Sequence, residues 1–275
     1  MTWTCSLISP ERLTNPTFVN TVLAPLENTL GMIVVGEAHR ISDWGHDFRP
    51  DYRRIGALLE HLPVNTPVLV TTATANSRVI DDVVAQLGHD TRVIRGPLSR
   101  ASLRLGAAQT TSAAYRIAWL TEHLNDFIGS GIIYTLTKSA AQDIATALSH
   151  AGHTVTAYTG GTDPEERIEL EDAFKGNVLK ALVATSALGM GFDKPDLGFV
   201  VHVGAPSSAV AYYQQVGRAG RATDSADALL LPRHNDENVW EYFANATMPN
   251  EQDATAVLDA LGDEPRDIGN FKPRR

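Results

Sequence analysis

Short apolar runs rich in β-branched residues alternate along this chain with longer stretches whose apolar positions recur every three to four residues. The first kind suits a strand buried on both faces, the second a helix packed by one face. Strands are predicted at 30–35, 68–72, 131–135, 154–158, 180–185, 198–203 and 226–231, and helices at 52–61, 78–87, 112–127, 139–151, 164–174 and 207–216. Their alternation is the pattern of a parallel sheet covered by helices, so the fold class is α/β. Residues 95–108, with Gly96, Pro97, Ser99, Ser102 and Gly106, follow neither period and read as a linker. The division expected is 1–105, 106–232 and a tail at 233–275 with helical patterns at 237–246 and 253–261.

At 275 residues the chain is long enough for two domains, each with its own core. No run of eighteen apolar residues occurs, and no basic region precedes the short apolar patch at the N-terminus. A membrane span and a secretory signal are therefore not expected. One cysteine, Cys5, supports neither an internal disulfide nor a cysteine-based zinc site, which places the chain in the cytoplasm. The net charge of −9 is spread unevenly: residues 1–105 carry ten arginines against ten acidic groups, and the excess of acid lies beyond them. Any nucleic-acid contact must then be local, through a few arginines and backbone amides and not a basic surface.

The chemistry-bearing run is 34–54, V-V-G-E-A-H-R-I-S-D-W-G-H-D-F-R-P-D-Y-R-R. A glutamate and a histidine end an apolar strand, and a loop follows in which Trp44, Phe48 and Arg49 interleave aromatic rings with a cation. A Trp and a Phe four apart are more often core than ligand contacts, but the flanking H-D-F-R-P-D-Y favours a loop that reads nucleic acid. Further on stand A-T-S-A-L-G-M-G-F-D-K-P-D at 184–196 and Y-Y-Q-Q-V-G-R-A-G-R at 212–221. The first is a glycine-rich turn after a strand, whose amides can approach phosphates closely. In the second, Arg218 and Arg221 lie three apart, a spacing that puts both on one helical face. His150 and His153 lack a carboxylate or thiol partner and read as a surface pair, so no metal site is expected.

In this order, and with S-P-E-R-L at 9–13, T-A-T-A at 72–75 and G-I-I-Y-T at 131–135, these motifs resemble the RecQ-type ATP-dependent DNA helicases of superfamily 2 over roughly residues 6–232. The resemblance implies two RecA-like domains, ATP with Mg²⁺ as cofactor, and 3′-to-5′ movement on single-stranded or forked DNA. Glu37 matches the carboxylate that activates the attacking water, and His39 and Gln214 match a pair that links the domains when nucleotide is bound. Arg221, with Arg218 beside it, matches the arginine finger, worth on the order of 10³- to 10⁵-fold in rate. Asp193, Gly191 and Gly217 match cofactor-binding positions, Asp193 falling where nucleotide is coupled to DNA. Trp44, Phe48 and Arg49 match the DNA-sensing loop, where stacking on a base is worth roughly 1 to 3 kcal/mol. Ser9, Arg12, Thr72 and Thr185 are expected near the single-stranded backbone.

Two departures bear on mechanism. A P-loop needs G-x-x-x-x-G-K-[ST], yet the five lysines, at 138, 175, 180, 194 and 272, never follow a glycine. Gly36 stands where the family carries the aspartate that anchors Mg²⁺. The expectation is a complete second RecA-like domain, a first domain that lacks its P-loop strand through truncation, and a chain inactive alone. A non-catalytic module that binds single-stranded DNA or a partner protein is the alternative, and a truncated product without function a third reading.

Overall fold

The computed structural model describes residues 5–26, 29–41, 53–60, 63, 66–87, 91–97, 99–110, 112–186, 188, 192–233, 235–247 and 255. The chain separates into two compact units, Met1–Ser99 and Arg100–Arg275.

The first unit opens with a 3-10 turn, Pro10–Thr14, and a short helical run made of α1 (Pro16–Phe18), a π turn and α2 (Ala24–Leu26). Strands β1 (Ile33–Val35) and β2 (Val68–Val70) pair in parallel, Ile33 opposite Val68 and Val35 opposite Val70. Helices α3 (Arg53–Glu60) and α4 (Ser77–Leu87) complete the described part. Val35, Ala38 and Ile55 form a small core, joined by Leu13, Ile33, Leu59, Val70 and Val83. On the other side of the pleat the register partners Val34 and Leu69 stay 60% and 48% exposed. Strands of a parallel sheet are ordinarily covered on both faces, and this pair is covered on one.

The second unit is a six-stranded parallel sheet in the order β3-β8-β7-β4-β6-β5. Its strands are β3 (Leu103–Ala107), β4 (Gly131–Thr135), β5 (Val155–Tyr158), β6 (Ala181–Ala184), β7 (Phe199–Val203) and β8 (Ala226–Leu231). Every residue of β4, β6 and β7 is buried, as continuous apolar runs in the middle of a covered parallel sheet should be. Ile133, Val183 and Val201 pack under α5 (Ala113–His123) and α6 (Lys138–His150). Ile132, Leu182 and Val200 pack on the other face with Phe174 of α7 (Pro164–Lys175) and Val216 of α8 (Ala209–Val216). Ser112, Thr137, Asp163 and Ser208 each accept a backbone N–H of the helix they precede, so these helices begin one residue after a capping side chain.

Three features correct or extend the sequence reading. The stretch read as a linker contains β3, which pairs with β8 from Leu103–Ala226 to Ala107–Leu230. As an edge strand, β3 is half-buried at Leu103 and exposed from Arg104 on, so it carries little of the apolar pattern that marks central strands. Helix α8 stops at Val216 with Gly217 as its C-cap, so Arg218 and Arg221 sit in the turns beyond it and not on one helical face. Part of the tail is α9 (Asp236–Thr247), docked by Trp240 Nε1 donating to Ala205 O at 2.8 Å and by Asp236, which faces the buried Arg116. The pattern at 253–261 lies outside the described residues except for 255. No helix among the described residues is long and apolar enough to cross a membrane.

Candidate functional site

In the first unit the turn after β1 brings three of the expected residues together. Thr71 N donates to Val35 O and Ala38 N to Thr71 O, so the chain leaving β1 is stitched to the chain leaving β2. That stitching puts Glu37, His39 and Thr72 side by side. His39 Nδ1 lies 3.2 Å from Glu37 Oε2 and 3.1 Å from Thr72 Oγ1. A carboxylate only accepts, so the contact with Glu37 favours the tautomer that carries its proton on Nδ1. His39 is 5% exposed, whereas the Glu37 side chain is 41% exposed: a held carboxylate that solvent reaches. Glu37 adopts φ +53°, the left-handed region that costs a side-chain-bearing residue about 1 kcal/mol or more. Gly36, just before it, is exposed, and a Cβ built there meets nothing within 4 Å.

Ser9 and Arg12 lie at the 3-10 turn, both exposed. Arg12 stands 5.7 Å from the centre of the Phe18 ring. Trp44, Phe48, Arg49 and Gly191 lie outside the described residues.

In the second unit Arg221 Nη1 lies 2.6 Å from Asp193 Oδ1, and Arg218 Nη1 donates to Phe192 O at 2.8 Å. The two arginines of one motif thus hold consecutive residues of the other. Tyr134, packed into the same region, has its hydroxyl pushed up to about 12 by burial, with the Arg218 guanidinium opposing. Thr185 directly follows β6, buried, and its carbonyl accepts Leu188 N. Gln214 sits on α8, and its neighbour Gln215 takes the buried His202 at 2.7 Å, Nε2 to Oε1. Gly217 closes α8, and its carbonyl accepts from Arg221 Nε and Arg100 Nη1. Arg100, Ser102, His202 and Gln215 were not singled out by sequence. The first two fall in the aperiodic stretch, and the last two read as ordinary strand and helix positions.

Residues 1–99 contain no lysine, and Gly36 brings no carboxylate beside Glu37. The described lysines of the second unit include Lys180, spent on the carbonyls of Phe127 and Gly129, and Lys194, buried against Asn177 and Asp196. Among the described residues no group of three or more His, Cys, Asp or Glu side chains is placed to hold a metal ion.

Residues 5–83 match the DEAD/DEAH box helicase family, and residues 115–223 match the helicase conserved C-terminal domain. The RNA-bound DEAD-box helicase Mss116 superposes with a TM-score of 0.65 at 20% identity, over 93% of this chain and 56% of that one. The DNA-bound helicase MrfA does so with 0.65 at 20%, over 86% and 37%. Likeness at that identity speaks for the fold alone, two RecA-like units, while the two family models give the class, a helicase. Within that class, a probable ATP-dependent DNA helicase RecS of Bacillus subtilis is 34% identical over 261 residues, 92% of this chain and 51% of RecS. The RecQ helicase of Pasteurella multocida is 33% identical over 260 residues, 93% of this chain and 40% of its own length. The chain belongs to the RecQ-type helicases, and it spans about half the length of RecS and less of RecQ.

Proposed function

We propose that this chain serves in a RecQ-type, ATP-dependent DNA helicase that moves 3′ to 5′ along single-stranded DNA, and that by itself it does not turn over ATP. The observation that carries the second part is a base without its charge partners. Glu37 is oriented by His39, yet Gly36 offers nothing to hold Mg²⁺, and residues 1–99 bring no lysine to neutralise a β,γ-phosphate. The described residues do not fit ATP with its magnesium, so no hydrolytic step is assigned to this chain alone. Its residues do position groups: Thr72 and Glu37 both meet His39, Phe192 O holds Arg218, and Asp193 pairs with Arg221.

The test is steady-state ATP hydrolysis by the purified chain with and without a single-stranded oligonucleotide. Turnover should stay at background and be unchanged by Glu37→Gln; DNA-stimulated turnover that Glu37→Gln abolishes sinks the reading.

A second reading, a non-catalytic module that binds single-stranded DNA, draws support from Thr72, whose hydroxyl is held 3.1 Å from the buried His39 Nδ1 where the chain leaves β2. Fluorescence titration with an oligonucleotide should show binding weakened in the Trp44→Ala, Arg49→Ala double variant. Equal binding by both proteins removes the module.

A further inference from the structure

The segment that the pattern leaves aperiodic makes three long-range bonds to the G-R-A-G-R turn. Arg100 Nη1 donates to Gly217 O at 2.8 Å and to Ala219 O at 2.9 Å, and Ser102 Oγ donates to Gly220 O at 2.7 Å. Three carbonyls within four residues are held from more than a hundred residues away. Ser102 is itself fixed, because Ala226 N donates to its carbonyl at 2.7 Å where β8 begins. The fit is close: Gly220 has φ +71°, and a Cβ there would stand 2.7 Å from Ser102 Oγ.

Arg221 shares this brace. Its Nε donates to the same Gly217 carbonyl, at 3.3 Å, so one oxygen takes both guanidinium groups. The remaining contact of Arg221, to Asp193, joins two side chains that are 42% and 59% exposed, and an ion pair that open holds a long side chain weakly. The bond to the braced Gly217 carbonyl, at 3.3 Å, adds a second restraint on its direction. Arg100, Ser102, Gly220, Arg221 and Thr223 line one hollow of about 450 Å³, so the brace and the arginine it orders form one site.

We propose that Arg100 is a positioning residue for Arg221: by pinning the carbonyls of Gly217 and Ala219 it sets where the Arg221 guanidinium stands. The inference rests on reading Arg221 as the arginine of the motor, but it is measured without turnover.

The experiment follows arginine Nε–Hε signals of the whole chain by NMR, with Arg221 assigned through Arg221→Lys. Arg100→Met keeps the length of the stem and removes the donors. It should make Arg221 Hε exchange with water about tenfold faster, the scale of losing the Arg221 Nε–Gly217 O bond once that carbonyl is no longer braced. Arg100→Lys, whose single nitrogen can serve both carbonyls, should recover part of the protection. Backbone amides of β4, β6 and β7 should exchange as before in both. Unchanged Arg221 exchange in Arg100→Met overturns the proposal, and so does acceleration of the sheet amides in step with Arg221, which marks plain stabilisation. If Arg100→Met does not fold, Ser102→Ala, which removes one of the three bonds, is judged by the same two readings. A positive hydrolysis assay would remove the proposed inactivity and leave this result standing.

Discussion

His39 Nδ1 touches the Glu37 carboxylate and the Thr72 hydroxyl at nearly equal distance, 3.2 and 3.1 Å, so one buried imidazole joins the turn after β1 to the chain leaving β2. The hydroxyl of Thr72 also accepts Thr74 N at 3.2 Å. The contact is local to the first unit, and it orients Glu37 whether or not a nucleotide site is complete. That separation between an ordered base and its missing charges leads to the first prediction.

Gly36→Asp should be accepted by the fold and still not restore hydrolysis. A Cβ at this position meets no atom within 4 Å, and Gly36 does not use a positive φ, so the aspartate adds a carboxylate without a clash. The midpoint of thermal unfolding should move little, within the roughly ±0.5 kcal/mol of ordinary surface substitutions. ATP turnover should remain at background because no lysine is supplied with it. Turnover gained from this one change would show that the missing carboxylate alone was limiting.

Glu37→Gly should be more stable than Glu37→Ala by about 1 kcal/mol. Both variants delete the carboxylate and its contact with His39, so the comparison isolates the backbone. At φ +53° alanine keeps the steric cost of the left-handed region, whereas glycine does not, and the gain exceeds the extra entropy glycine loses on folding. Urea unfolding of the two variants measures the difference. Equal midpoints would mean that Glu37 is not strained in solution.

Legibility followed burial. Strands β4 and β8 begin and end where the apolar runs predict: β4 is buried throughout, and β8 mixes buried and half-buried positions in a run interrupted by Asp227 alone. β3 escaped notice because its outward positions, Arg104 and Leu105 among them, answer to solvent and to the Arg104–Asp227 pair and not to a core. The motif residues Glu37, His39, Asp193 and Arg221 were legible as types at fixed spacing. What they touch was not: the spacing of Arg218 and Arg221 suggested a helical face, and Gly217 ends the helix first. Arg100 and Ser102 act through single hydrogen bonds to distant carbonyls, an arrangement that leaves no period in a sequence.

Asp236→Ala should destabilise the second unit by about 3 kcal/mol, and Asp236→Asn by clearly less. Asp236 Oδ2 accepts the backbone N–H groups of Arg233 and Ala205, at 2.8 and 3.2 Å, and stands 3.8 Å from Arg116 Nη1. Both side chains are nearly buried, 7% and 5% exposed, so removing the carboxylate strands a charge and two amide donors. Burial already lowers the Arg116 pKa while Asp236 opposes it, so alanine worsens that balance, whereas asparagine keeps an acceptor. Hydrogen exchange of β4 and β7 amides reads the loss, and equal values for the two variants would assign Asp236 a charge role alone.

Stability of the second unit should fall as the solution is acidified from pH 7 to 5, with His202 as a main cause. This histidine is 1% exposed, stacked beside Tyr134 with ring centres 5.4 Å apart and against Tyr212 at 5.1 Å, and bonded through Nε2 to Gln215. Burial lowers its pKa from 6.5 to about 4, the Gln215 bond opposing. Between those values the unfolded chain binds a proton that the folded one refuses, so stability is full above pH 6.5 and drains away as pH falls toward 4. From pH 7 to 5 the loss from this one group amounts to about 2 kcal/mol. Urea midpoints followed by circular dichroism at the two pH values measure it, against His202→Gln, which cannot titrate. The variant should be less stable at pH 7 but show a smaller drop on acidification; the same drop in both proteins would place the acid sensitivity elsewhere.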